Sequence, residues 1–201
     1  MLSMWFHEPH LPIESADKFQ NLYPDFLKKA KDFMNDAKES KKWADMAQHH
    51  GNISQMDAAF GNLMDALQEM GLDENTIVIF TSDNGPEGSG NDGRTRGSTG
   101  GLRGRKRSVY AGGIQVPGLM RWPGKITPGK VSDEPIIGSD IFPTLCEITG
   151  AKLAKQRTID GVSLLPVFDG KKLERTTPMY WRCLIAPEPM KIAMRQGDWK
   201  I

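Results

Sequence analysis

The chain has 201 residues, of which 38% are hydrophobic and 25% charged, a composition typical of a globular protein with one sizeable core. Lys and Arg total 26 against 25 for Asp and Glu, so the net charge of +1 gives no overall reason to expect nucleic acid or an acidic membrane surface as partner. No apolar run approaches the ~20 residues of a membrane-spanning helix. Cys146 and Cys183 lack CxxC spacing, which excludes a zinc knuckle, and we expect two buried thiols.

The first third of the chain is predicted to be mainly helical. The opening MLSMWF is typical of a strand, and residues 19–43 indicate one or two lysine-rich surface helices. Residues 51–70 carry apolar side chains at three- and four-residue steps, and Gly71 follows as a stop signal. We expect this helix to pack one face on a core.

Residues 76–81, TIVIFT, form a continuous β-branched and aromatic run. Such a run is typical of a strand that is buried on both faces of a mostly parallel sheet. A helix, a buried strand and a polar loop together make an α/β unit, in which ligands bind beyond the carboxyl ends of the strands. The loop that starts at Ser82 is therefore where a site is expected.

The last third predicts a helix over 139–149 and then half-buried antiparallel strands over 179–183 and 191–195. We interpret residues 1–177 as the C-terminal part of a catalytic domain and residues 178–201 as the start of a small subdomain with an antiparallel sheet. Both ends of the chain fall in strand-like segments, so we expect an internal piece of a longer domain.

Asp83 and Asn84 follow the predicted strand, and Gly85 would let the chain turn away. Carboxylate and amide oxygens at one point are ligands for a hard cation such as Ca²⁺ or Mg²⁺. The same three residues also favour ordinary turns, so turn chemistry is the alternative.

Residues 101–117 are rich in glycine and arginine around Lys106. A lysine on a glycine-rich backbone can bring its ammonium to an anion, with arginines and backbone N–H groups assisting. The alternatives are a solvated basic loop or a nucleic-acid-binding patch. The second alternative is less favoured, because no aromatic residue for base stacking is interleaved in this segment before Tyr110.

Two histidines, His7 and His10, follow the opening apolar run. A histidine can act as a general acid or bind an anion when it is protonated. The alternative is an incidental surface pair. We interpret His49 and His50, at a predicted helix start, as incidental.

Five segments in this order resemble the sulfatase family: the HxP motif at His10, QMDAAFGNLMDALQEMGLDENTIVIFTSDNGPE, GLRGRKRSVYAGGIQVPGLMRWPGKI, SDIFPTL and DGVSLLP. The resemblance covers nearly the whole chain except about 19–48. It implies an α/β, alkaline-phosphatase-like sandwich, present in part, whose central mostly parallel sheet is flanked by helices.

The resemblance also implies roles for four residues. Asp83 and Asn84 match the family's metal-binding pair, whose cation is usually Ca²⁺ and sometimes Mg²⁺. Lys106 matches the lysine that contacts the substrate sulfate, and His10 the histidine that helps to bind it. The substrate would be a small sulfate ester or a sulfated glycan, with no nucleic acid or membrane as partner and with the oligomeric state open.

This sequence departs from the family in two respects. Arg105 and Arg107 stand where the family often has glycine, and Ala111 stands where it often has an acidic residue. The family's nucleophile is a formylglycine made within C/S-x-P-x-R, a pattern that occurs nowhere in the 201 residues. We therefore expect this chain to supply part of the site and to be inactive alone, while the family's usual location is exported or lysosomal.

Two other functions fit the same residues. A phosphoryl or phosphonate hydrolase of the same superfamily would use a similar metal and anion site. A non-catalytic polyanion-binding protein would use the basic loop at 94–107 without a cation, and its binding would be sensitive to salt.

Overall fold

The computed structural model describes residues 1–10, 12–88, 97–153, 158–186 and 189–201. The chain divides into two compact units. One comprises Met1–Asp73 and Ser82–Val116, and the other comprises Glu74–Thr81 and Pro117–Ile201. The four predicted site residues all belong to the first unit. The expected domain boundary between residues 177 and 178 stays a prediction.

The first unit is helical, with α1 at Asp17–Gln20, α2 at Pro24–Asp32, α3 at Ala37–Glu69 and the short α4 at Ala111–Ile114. The helix predicted over 51–70 is confirmed, but it begins at Ala37. The Asp36 carboxylate accepts hydrogen bonds from the backbone N–H groups of Lys38 and Glu39, which caps the helix there. Gly71, at φ +65°, follows its end as predicted.

Aromatic rings join α2 to α3 within the lysine-rich segment. Phe26 lies 4.9 Å from the His50 ring and 6.0 Å from the Trp43 ring, centroid to centroid. His50 Nδ1 also lies 2.8 Å from the Met46 carbonyl oxygen. No residue of α1 or α2 is buried, which agrees with surface helices.

Two features of this unit differ from the sequence expectations. The apolar stripe of the 51–70 segment is only half-buried, and the buried residues of α3 are Ala47, His49, Gly51 and Asn52. The opening MLSMWF forms no strand, and Trp5 is 92% exposed. A strand needs a neighbouring strand to satisfy its backbone, and these six residues pair with none in the described parts of the chain.

The second unit contains a two-stranded sheet, β1 at Val78–Thr81 and β2 at Gly118–Arg121. The strands pair antiparallel, with Val78 opposite Arg121. The predicted strand is therefore confirmed, but its partner among the described residues is antiparallel. Val78 to Phe80 are half-buried, not buried on both faces as predicted.

The rest of the second unit matches the sequence pattern closely. It contains α5 at Ile141–Thr149, α6 at Leu165–Phe168 and an antiparallel sheet of β3 at Met179–Arg182, β4 at Ile192–Gln196 and β5 at Trp199–Lys200. Both cysteines are free thiols as expected, although Cys183 is half-buried and only Cys146 is buried.

A buried carboxylate organises the centre of this unit. Asp140, fully buried, makes a bidentate pair with the Arg175 guanidinium at 2.9 and 2.7 Å. Its two oxygens also accept hydrogen bonds from the backbone N–H groups of Ile137 and Val162, both at 2.9 Å. The carboxylate thus joins the start of α5 to two distant loops.

Candidate functional site

The loop after β1 presents two oxygen-bearing side chains. Asp83 is exposed and Asn84 is half-buried. The Asn84 amide nitrogen donates to the Gly85 carbonyl at 3.0 Å, which leaves its amide oxygen as a possible ligand. The Ser82 hydroxyl donates to the Asn84 carbonyl at 3.1 Å, so turn chemistry is present as well.

Both side-chain oxygens suit Ca²⁺ or Mg²⁺, but they are too few to hold either ion alone. Calcium takes about six to eight oxygen ligands and magnesium about six. In the parts of the chain that the structure describes, no three His, Cys, Asp or Glu side chains are arranged to hold a metal ion. Asp83 and Asn84 therefore fit as part of a cation site.

Backbone contacts tie this loop to the glycine-rich segment. The Gly85 N–H donates to the Gly113 carbonyl at 2.9 Å, and the Lys106 N–H donates to the Pro86 carbonyl at 2.9 Å. A Cβ at Gly85 would lie 1.9 Å from the Gly112 carbonyl oxygen, so only glycine permits this approach. The Asp83–Asn84 segment and the loop of Lys106 are thereby packed directly on each other.

Glu87 contacts three consecutive basic residues of that loop. Its backbone carbonyl accepts two hydrogen bonds from the Arg105 guanidinium, at 3.3 and 3.2 Å. Its carboxylate lies 3.5 Å from the Lys106 ammonium through Oε2 and pairs with Arg107 through Oε1. One acidic residue thus fixes the whole Arg-Lys-Arg sequence.

The pKa of Glu87 reflects this surrounding. Burial raises the pKa of the Glu87 carboxyl, but the hydrogen bond and charge of Arg107, with the charge of Lys106, outweigh burial. The pKa is held below its ordinary value of 4.5. Glu87 is accordingly a carboxylate at neutral pH.

Arg107 occupies a backbone conformation that normally suits glycine. Its φ is +74°, in the left-handed region, where a side chain costs about 1–2 kcal/mol. Glycine is the residue that the family resemblance leads one to expect at this position, and glycine adopts this conformation without that cost.

The turn that contains His10 is held by α3. The His10 N–H donates to the His7 carbonyl at 2.8 Å, and the two rings lie 5.7 Å apart. Glu8 between them accepts from the Gln55 side chain of α3 at 3.3 Å. Both histidines are exposed. The contacts that bring Asp83 and Asn84 towards Lys106 do not involve this turn, so the role of His10 stays a prediction.

Sequence reasoning missed Glu87. The residue lies within the DNGPE sequence that carries the family resemblance, four positions after Asp83. The sequence did offer a signal for Glu87. Three consecutive cationic residues repel one another and favour a nearby counter-charge, and Glu87 is an acidic residue close to that loop.

The fold is shared with solved structures, one of which is a phosphonate monoester hydrolase. The protein Ps i-CgsB, solved in complex with k-i-k-neocarrahexaose, matches 96% of this chain and 38% of its own with a TM-score of 0.75 at 24% identity. BT4656, solved with its substrate D-glucosamine-2-N,6-O-disulfate, matches 77% of this chain and 30% of its own at TM-score 0.60 and 25% identity. The phosphonate monoester hydrolase of Agrobacterium radiobacter matches 81% of this chain and 33% of its own, with a TM-score of 0.57 at 26% identity. The chain therefore has a partial α/β fold of the alkaline-phosphatase-like class, as expected.

Comparison with known sequences identifies the family within this fold class. The Sulfatase family profile matches residues 1–151. Rat steryl-sulfatase is 43% identical over 121 residues, 59% of this chain and 21% of the rat protein. Bovine arylsulfatase A is 38% identical over 156 residues, 74% of this chain and 29% of its own length. The chain belongs to the sulfatase family.

The match covers only part of each relative. The chain spans between a fifth and three tenths of the length of the curated relatives that it matches.

No helix within the described residues is both long and apolar enough to cross a membrane.

Proposed function

We propose that this chain supplies part of the metal and sulfate site of a sulfuric ester hydrolase. Lys106 contacts the sulfate group, and Asp83 and Asn84 provide oxygen ligands to a divalent cation. The observation that carries the proposal is the pair of backbone contacts, Gly85 to Gly113 and Lys106 to Pro86, which join the two segments. An ammonium and two oxygen ligands on segments that are packed on each other would suit a site for an oxyanion and a divalent cation.

The ammonium of Lys106 would neutralise charge that develops on the sulfate group during ester cleavage. Its side chain is 19% exposed, so the charge acts with limited screening by solvent. The bound cation, Ca²⁺ or Mg²⁺, would add Lewis-acid stabilisation of the same group. His10 completes the anion site in this proposal, as a hydrogen-bond donor to the anion or as a general acid.

The catalytic nucleophile is the part that this sequence does not offer. Formylglycine arises in the family from a C/S-x-P-x-R segment, which these residues lack. We therefore expect the 201-residue chain to bind inorganic sulfate and Ca²⁺ without hydrolysing 4-nitrophenyl sulfate. The substrate class we propose for a complete protein is a sulfated glycan or small sulfate ester, supported by the disulfated glucosamine substrate of BT4656. Export of that protein belongs to the same proposal.

A second candidate is a phosphonate or phosphoryl hydrolase, because the Agrobacterium radiobacter phosphonate monoester hydrolase shares the fold. Both activities need a cation and a cationic anion-binding side chain. Relative affinity for inorganic sulfate and phenylphosphonate separates them. The sulfatase proposal expects sulfate to bind the more tightly.

The test is calorimetric titration of inorganic sulfate and, separately, Ca²⁺ into the chain. Lys106→Met is expected to weaken sulfate binding about tenfold or more, because a hydrogen bond to a charged group contributes about 1.5–3 kcal/mol. Asp83→Ala with Asn84→Ala is expected to weaken Ca²⁺ binding. Lys41→Met, which removes an exposed lysine of α3, is the matched control.

Two results would contradict the proposal. One is sulfate affinity that Lys106→Met leaves unchanged. The other is anion binding that needs no cation, falls steeply with salt and favours long polyanions over sulfate, which would indicate the polyanion-binding alternative.

A further inference from the structure

We propose that Glu87 is a positioning residue for the sulfate-binding lysine: its carboxylate holds the Lys106 ammonium in place, and its pairing with Arg107 keeps it from competing with the substrate. The inference rests on the proposed function, because it takes Lys106 as the residue that contacts sulfate. It adds a residue to which neither the family resemblance nor the relatives assign a role.

The two oxygens of the carboxylate have different partners. Oε1 pairs with the Arg107 guanidinium, and Oε2 lies 3.5 Å from Lys106 Nζ. Both Glu87 and Lys106 are mostly shielded, with 24% and 19% of their side chains exposed. The Arg107 pair therefore fixes the carboxylate, and the fixed carboxylate restrains the ammonium.

The contact to Lys106 leaves binding capacity for a ligand. An ammonium has three N–H donors, and a separation of 3.5 Å exceeds the usual length of a charge-assisted hydrogen bond. In the described part of the chain, Glu87 is the acidic residue that pairs with Lys106. The glutamate thus restrains the side chain by charge while the donors can still turn to a sulfate oxygen.

The local charge also favours an oxyanion. Arg105, Lys106 and Arg107 carry three positive charges, and Glu87 carries one negative charge. The Arg105 guanidinium is engaged by the backbone carbonyls of Glu87 and Gly97 and fixes the loop. The remaining excess of two positive charges matches the two negative charges of free sulfate.

The first measurement needs no ligand. Lysine labelled with ¹³C at Cε allows the side-chain order of Lys106 to be measured by NMR relaxation. Glu87→Gln keeps the shape and removes the charge, so the order of Lys106 is expected to fall towards that of the exposed Lys41. Glu87→Asp, which keeps the charge at a shorter reach, is expected to lie between. Glu39→Gln, which breaks the surface pair with Lys42, is the control and should leave Lys106 unchanged.

The second measurement is a double-mutant cycle on the dissociation constant of inorganic sulfate. Glu87→Gln is expected to raise it about three- to tenfold, the size of coupling between two contacting side chains. In the Lys106→Met background the same change should have no effect, because a residue that acts through Lys106 has nothing left to position.

The outcomes separate the two proposals. An unchanged order of Lys106 in Glu87→Gln, or tighter sulfate binding by that variant, overturns the positioning role. If Lys106→Met leaves the dissociation constant of sulfate unchanged, the proposed function is overturned. The NMR relaxation measurement without ligand still decides whether Glu87 restrains the Lys106 side chain.

Discussion

Removal of the Asp140 carboxylate is expected to be the most damaging single change in the second unit. Asp140→Ala eliminates both bonds to Arg175 and leaves the N–H groups of Ile137 and Val162 without their acceptor. Arg175 is only 12% exposed, so its charge would stay largely buried without a partner.

The magnitude follows from that burial. Loss of one partner from a buried ion pair costs about 3–5 kcal/mol, because an uncompensated charge is left behind. A domain is stable by about 5–15 kcal/mol, so the variant would lose a large part of its stability. An exposed pair such as Glu39 with Lys42 contributes about 0–1 kcal/mol.

Urea unfolding followed by circular dichroism measures the difference. With a slope of about 1–3 kcal/mol per molar urea, a loss of about 3 kcal/mol lowers the midpoint by about 1–3 M. Replacing Asp140 and Arg175 together by leucine should cost less than the single change, because no buried charge remains. A loss below about 1 kcal/mol for Asp140→Ala, equal to that of Glu39→Gln, would refute the reasoning.

Three further predictions concern the first unit. Arg107→Gly should be more stable than Arg107→Ala by about 1 kcal/mol in urea unfolding, because both lose the pair with Glu87 and only glycine relieves the positive φ; equal stabilities would contradict this. Gly85→Ala should lower the free energy of unfolding by about 1–3 kcal/mol, because the added Cβ would lie 1.9 Å from the Gly112 carbonyl oxygen. Gly61→Ala is the control: Gly61 has open space around it within α3, so this change should raise the free energy of unfolding by about 0.5–1 kcal/mol. The pKa of Glu87 in the folded protein lies below 4.5, so its carboxylate stabilises the fold above that pH. The difference in free energy of unfolding between the wild type and Glu87→Gln should therefore shrink as the pH falls below 4.5. A difference that stays constant from about pH 6 to pH 3 would contradict this prediction.

Elements with a strong local pattern could be predicted from the sequence. The alternating segments at 179–183 and 191–195 form β3 and β4, and the helix over 139–149 forms with α5 as its main part. The surface helices predicted over 19–43 reach into α3, but its start at Ala37 and its continuity to Glu69 were not predicted, because they depend on the Asp36 cap and on ring contacts of Trp43 and His50 with α2.

Burial was harder to predict than secondary structure. The 51–70 stripe and the 76–81 run are patterned for burial, yet both are half-buried. A pattern states which face is apolar, whereas burial depends on what packs against it, and this chain spans at most three tenths of its curated relatives. Sequence periodicity alone cannot supply that partner.

The departures from the family at Arg105 and Arg107 now have a physical account. Relative to the glycines that the resemblance leads one to expect, the two arginines add two positive charges and one side chain in a left-handed conformation beside Lys106. The Glu87 backbone carbonyl accepts hydrogen bonds from Arg105, and its carboxylate pairs with Arg107. Glu87 thus contacts both arginines and neutralises one of the two added charges, so both departures are compatible with the proposed role of Lys106.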